Sequence, residues 1–177
     1  MTDSPQALEE VFREHGPRAF RAAYRVVGNA DDAQDVVQTV FVRLLKRPDA
    51  IINNETAGSY LHRAAVNAGL DLLRKRKRSG AVPIESEDGH DEHAAESLDG
   101  DSESRVRSRE IRQELRAAIS RLKPAEAEVF VLRYLEGYGN TEIAELLDTT
   151  REAIGIRLFR CRARLKDDLA DLLGGAS

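Results

Sequence analysis

Residues 79–104, SGAVPIESEDGHDEHAAESLDGDSES, constrain the fold of this chain most. They hold nine acids and no Lys or Arg, with almost no bulky apolar residue after Ile84. A segment of this composition cannot bury enough surface to offset the entropy of ordering it. It therefore reads as a flexible acidic linker, dividing the chain into modules at residues 1–78 and 105–177. As a Gly/Ser-like coil it would span about 28 Å, enough for the modules to occupy separate sites on one large partner.

Both modules carry helical periodicity, which with the low aromatic content predicts an all-α protein of two small helical domains. In the first, Ala7 to Val27 is helical in pattern, with a break or kink expected at Gly16-Pro17. Gly28-Asn29 ends it. Asp31, with Gln34 three residues on, predicts a capping box for a second helix running to about Arg47 and closed by Pro48. Its apolar face would be Ala33, Val36, Val37, Val40, Phe41, Leu44 and Leu45. A third helix, capped by Thr56 and running to about Lys77, would bury Ala57, Leu61, Ala64, Ala65, Ala68 and Leu72. It ends in five consecutive bases, Arg74 to Arg78.

The second module opens with a helix from about Arg105 to Leu122, with Ile111, Leu115, Ala118, Ile119 and Leu122 inward. Pro124, favourable at a first helical position, starts the next, which stops at Gly137. Then Thr141–Leu147 and residues 150–166, TREAIGIRLFRCRARLK, flank the tight turn Asp148-Thr149-Thr150. Ile154, Leu158, Cys161 and Leu165 make one apolar stripe on the last helix. Arg151, Arg157, Arg160, Arg162, Arg164 and Lys166 occupy its other faces, with no acid between Ala153 and Lys166. A helix anchored on one side and basic elsewhere, behind a short helix and a three-residue turn, predicts a helix-turn-helix for the major groove of DNA.

The net charge of −4 hides this pattern. Residues 1–78 hold 13 bases against 10 acids and residues 105–177 hold 14 against 12, so two weakly basic modules flank the acidic segment. No run of 18 apolar residues predicts a membrane span, and the N-terminus lacks a secretory pattern. The lone Cys161 fits a reducing cytoplasm and, on the apolar stripe, reads as a core residue and not a nucleophile. The one close histidine pair, His90 and His93 with Asp91, lies in the acidic tract, where a solvated coil outweighs a metal site. Glu126/Glu128 and Asp167/Asp168 do not converge on one helix face, and no Gly-rich phosphate loop is present. These readings imply no enzyme, metal or cofactor.

The stretches Asp31–Arg43, Ser59–Asn67 with Leu70–Arg76, Leu122–Gly137 and Glu142–Leu147 resemble, in that order, regions 2.2, 2.3–2.4 and 4 of the bacterial sigma-70 family. The likeness is to the extracytoplasmic-function group of these RNA polymerase initiation factors. It covers about residues 7–78 and 110–170. It implies binding to core RNA polymerase, at the β′ clamp and β flap, with Asp35, Gln38 and Phe41 as contacts. It implies that Arg63, Asn67 and Asp71 line a pocket for a flipped base of the minus-ten element; by their chemistry Tyr60 offers a stacking ring and Arg74, on the same face as Arg63 and Asn67, a cation for phosphate. It implies minus-thirty-five contacts at Arg157, Phe159 and Arg160, with Phe159 suited to a thymine methyl, and the basic faces of the same helix add Arg151 and Arg164 as DNA contacts. An anti-sigma protein is a further partner the resemblance allows. Family members usually carry a basic residue where Gly155 stands and a small polar one where Ile156 stands, so an atypical upstream sequence is expected. The rival reading is a stand-alone helix-turn-helix regulator that binds duplex DNA without polymerase.

Overall fold

A computed structural model describes residues 4–47, 54–80 and 102–170. Seven helices lie among them: α1 Ser4–Val27, α2 Ala30–Lys46, α3 Asn54–Ser79, α4 Ser102–Arg121, α5 Pro124–Tyr134, α6 Asn140–Leu146 and α7 Arg151–Asp168. The loop at 48–53 and the stretch 81–101, with the His90–His93 group and most of the expected linker, lie outside the described residues.

In the first module α1, α2 and α3 pack mutually, burying Ala22, Val26, Val36, Leu44, Leu61 and Leu70. α1 runs through Pro17 without the expected break. The residue before a proline normally leaves helical geometry because its N–H and Cβ meet the ring; Gly16 has no Cβ, which relieves part of that clash. Gly28 ends α1 in the left-handed region, φ 87°. α2 is capped by Asn29 and not by the expected Asp31: the Asn29 side chain accepts from the Asp32 amide at 2.8 Å. Asp32 is buried and pairs with Arg76, so one of the five bases closing α3 is spent inside the fold.

In the second module Pro124 stands at the first turn of α5, as expected. Val129, Leu132, Ile143, Ala144, Ile154 and Leu158 form a small core beneath α6 and α7. The tight turn holds Asp148 at φ 49°, and the Thr150 hydroxyl accepts from the Ala153 amide at 3.1 Å. All four residues of the α7 stripe are buried. Ile111, expected inward, is instead 49% exposed, because residues 102–112 extend past the packed helices.

The two modules pack against each other. One apolar cluster runs from Val26, Leu61 and Leu70 to Ile119, Leu122 and Phe130, and α3 packs on α4 and α5. The Arg116 side chain of α4 lies over Gly28, where an added Cβ would meet its guanidinium carbon at 2.4 Å.

Candidate nucleic-acid interface

α3 turns about 100° per residue, so Tyr60, Arg63, Asn67, Asp71 and Arg74 form one stripe along its length. The structure thus brings together all five residues assigned to the minus-ten element. Asp71 and Arg74 pair within the helix at 3.3 Å. Tyr60 is partly open to solvent. Arg63 and Asn67, partly buried, are both tied to the other module: Arg63 Nε and Asn67 Nδ2 donate to Glu128 Oε1 on α5, at 3.0 and 2.9 Å. Arg63 Nη1 also reaches the Leu146 carbonyl at 3.4 Å.

Beside this stripe lies a buried polar node. Glu136, its side chain only 5% exposed, accepts from His62 Nε2 at 2.8 Å and from Arg25 Nη1 at 3.1 and 3.2 Å. Tyr138 accepts from Arg18, and its hydroxyl lies 3.5 Å from His62 Nδ1. Burial alone pushes the Glu136 carboxyl up, but the hydrogen bond and charge of His62 and the charge of Arg25 outweigh it, leaving it below its ordinary value. Sequence reasoning assigned no site role to Glu128, Glu136, His62 or Tyr138. Their partners stand 61 to 120 positions away, beyond any local pattern.

On α2, Asp35 and Gln38 are exposed on the side away from α1 and α3. Phe41 is half-buried, edge-on to Phe12 with ring centroids 4.3 Å apart. Val42 and Leu45 continue the exposed stripe at 47% and 49% exposure. Leu45 was expected in the core, and the pair extends the candidate polymerase surface with two apolar side chains.

On α7 the pole opposite the buried stripe is Glu152, Ile156, Phe159 and Ala163, all exposed. Ile156 and Phe159 are among the most exposed apolar side chains described. Arg151 and Arg162 flank this pole on one side, and Arg157, Arg160 and Arg164 on the other. Nothing lies within 4 Å of where a Gly155 Cβ would be, so the helix surface there is open. Arg164 pairs with Glu126 at 3.5 Å and Arg162 donates to the Tyr134 hydroxyl at 3.2 Å, which steadies both rows. Two basic rails around an apolar ridge match a major groove, with phosphates on both sides and base edges on the floor.

Cys161 is buried and its thiol donates to the Glu126 carbonyl at 3.2 Å; burial, with the Glu126 charge, pushes its pKa up to about 11. That is a core thiol and not an activated one. No group of three or more metal-ligating side chains occurs among the described residues, and no helix there is long and apolar enough to cross a membrane.

Comparison with known proteins accounts for both modules. Residues 11–79 match the family model for Sigma-70 region 2, and residues 112–165 that for Sigma-70, region 4. The first match gives the α1–α3 module a role that a stand-alone regulator would not. Over 92% of its length the chain is 31% identical to the ECF RNA polymerase sigma factor SigE of Mycolicibacterium smegmatis, spanning 61% of that protein. It is 30% identical to the RNA polymerase sigma-E factor of Streptomyces avermitilis, covering 92% of this chain and 84% of the relative. A solved structure of the sigma factor RpoE in complex with the anti-sigma factor NepR, from Bartonella quintana, aligns over 96% of this chain and 98% of its own at 22% identity, with a TM-score of 0.49. The chain belongs to the sigma-70 family of RNA polymerase initiation factors, in its extracytoplasmic-function group.

Proposed function

We propose that this protein binds core RNA polymerase, directs it to specific promoters and helps open them. It would do so in the cytoplasm, with no catalytic step of its own. The exposed α2 stripe of Asp35, Gln38, Val42 and Leu45, with Phe41 at its edge, is the polymerase contact. The α3 stripe holds the melted minus-ten strand: Arg63 and Arg74 take phosphates, Asn67 and Asp71 read an unstacked base edge, and Tyr60 supplies a ring for stacking. α7 enters the major groove upstream, where its arginine rails bind phosphate and Ile156 and Phe159 meet thymine methyl groups.

The observation that carries this reading is the α3 stripe: one helix face holds the cations, amide, carboxylate and phenol that an unstacked strand requires. Run-off transcription with core polymerase on genomic promoters tests it. Asn67→Ala should retain polymerase binding and lose opening, scored by permanganate reactivity of unpaired thymines. Full opening by the variant would remove Asn67 from the pocket.

A further inference from the structure

The first half of α4 stands clear of the packed helices, with every residue from Ser102 to Arg112 exposed. Its charges are sorted. Arg105, Arg109, Arg112 and Arg116 recur at steps of four, three and four. They fall on one narrow stripe about 16 Å long. The acids Glu103, Glu110 and Glu114 lie on the opposite face, where Arg107 sits one turn from both Glu103 and Glu110. Like charges one turn apart destabilise a helix, and the arginine stripe sets such pairs one after another. A row of this kind suits an external polyanion laid along it.

The stripe runs into a cleft of about 490 Å³ between α1, α4 and the end of α5. Arg112 and Arg116 line it, with Leu115 and Ile119 as apolar surface and Tyr24 and Tyr134 as rings. Tyr134 is 46% exposed. Its hydroxyl accepts from Arg162 at 3.2 Å and its ring lies 4.8 Å from that of Phe130, so a solvent-accessible ring is held in one orientation. Glu136 also lines the cleft, but its charge is matched by His62 and Arg25. The cleft therefore joins cations to a stacking surface, and neither feature is needed to pack the helices.

We infer that α4 and this cleft form a second track for single-stranded nucleic acid, sharing no residue with the α3 stripe. The arginine row takes successive phosphates, and the cleft takes an unstacked base against the tyrosine rings. A duplex does not satisfy the site, because its bases are already stacked and paired. RNA and DNA strands share the chemistry that the track recognises.

The test follows fluorescein-labelled mixed-sequence RNA and DNA single strands binding to the full chain, by anisotropy over a range of salt. Each phosphate contact contributes about 0.7 to the slope of log K against log salt, so Arg105→Gln/Arg112→Gln should make it shallower by about 1.4. Both positions are exposed, so the fold should survive. Tyr134→Ala should weaken binding about tenfold without changing the slope, and Tyr134→Phe should restore it. A strand carrying photoreactive 4-thiouridine should crosslink to α4, Tyr24 or Tyr134. Tighter binding of RNA identifies a transcript as the source, and tighter binding of DNA a promoter strand. Arg13→Gln/Arg43→Gln removes equal charge from exposed positions elsewhere and should leave the slope nearly intact. An equal loss of slope in that control overturns the track. So does displacement of the strand by a duplex of the same sequence, or crosslinking confined to α3 and α7.

Discussion

Removing the Glu136 carboxylate should be among the most costly single changes outside the apolar core. Glu136→Ala leaves His62, 1% exposed, without its 2.8 Å acceptor. An unsatisfied buried polar group costs about 1–3 kcal/mol. Arg25 also loses its partner, but at 30% exposure it can rehydrate, so the roughly 3–5 kcal/mol typical of breaking a fully buried pair is an upper bound. With the lost methylene packing, about 2–4 kcal/mol is expected. Glu136→Gln keeps an acceptor for His62 and loses the charge, so about 1 kcal/mol should go. Equilibrium urea unfolding reads both: with m of about 2–3 kcal/mol/M, the alanine midpoint should fall by roughly 1–1.5 M and the glutamine midpoint by less than half of that. Equal shifts would mean that the acceptor for His62 does not matter. No shift in either would mean that the node contributes nothing to the folded chain.

The same carboxyl gives a pH dependence of definite sign. Its pKa is depressed by folding, so its contribution is present above the ordinary glutamate value of about 4.3 and is lost as pH falls through the depressed value. Urea midpoints of the parent should drop across that acidic range, and the drop should shrink in Glu136→Gln. On α7, replacing thymine by uracil in the upstream element should weaken duplex binding about fourfold per contacted methyl, and Ile156→Ser should lose that sensitivity at one position; indifference of the parent to uracil would dismiss methyl reading. Cys161, with its pKa raised to about 11, should resist a thiol reagent at pH 8 in the native state and react on unfolding; fast native labelling would contradict its burial.

Much of the fold was legible because local rules govern it. The α7 stripe, the Thr150 cap, Pro124 at the start of α5 and the glycine after α1 each follow from residues within a turn or two of one another. Where neighbouring signals competed, the local rule slipped. Asn29 took the cap from Asp31, and Gly16 eased the clash expected at Pro17. The face of α2 was read one position too wide, since Leu45 and Val36 look alike in a periodicity count but only Val36 is buried. The stripe on α3 was legible as a set of positions. Its covering by Glu128 was not, because charge on a helix surface carries no local mark of whether its partner is water or a distant carboxylate.

The seam between the modules also sets an order in time. Arg63 and Asn67 leave the ribosome 61 to 83 residues ahead of the groups that will cover them. At about 5–20 residues per second, with domains folding as units from the N-terminus, that delay lasts roughly 3–17 s. During it α1–α3 can assemble with their cationic stripe bare. The nascent chain thus passes through a stage that the finished protein does not show at rest, an uncovered cationic helix still tethered to the machine that made it.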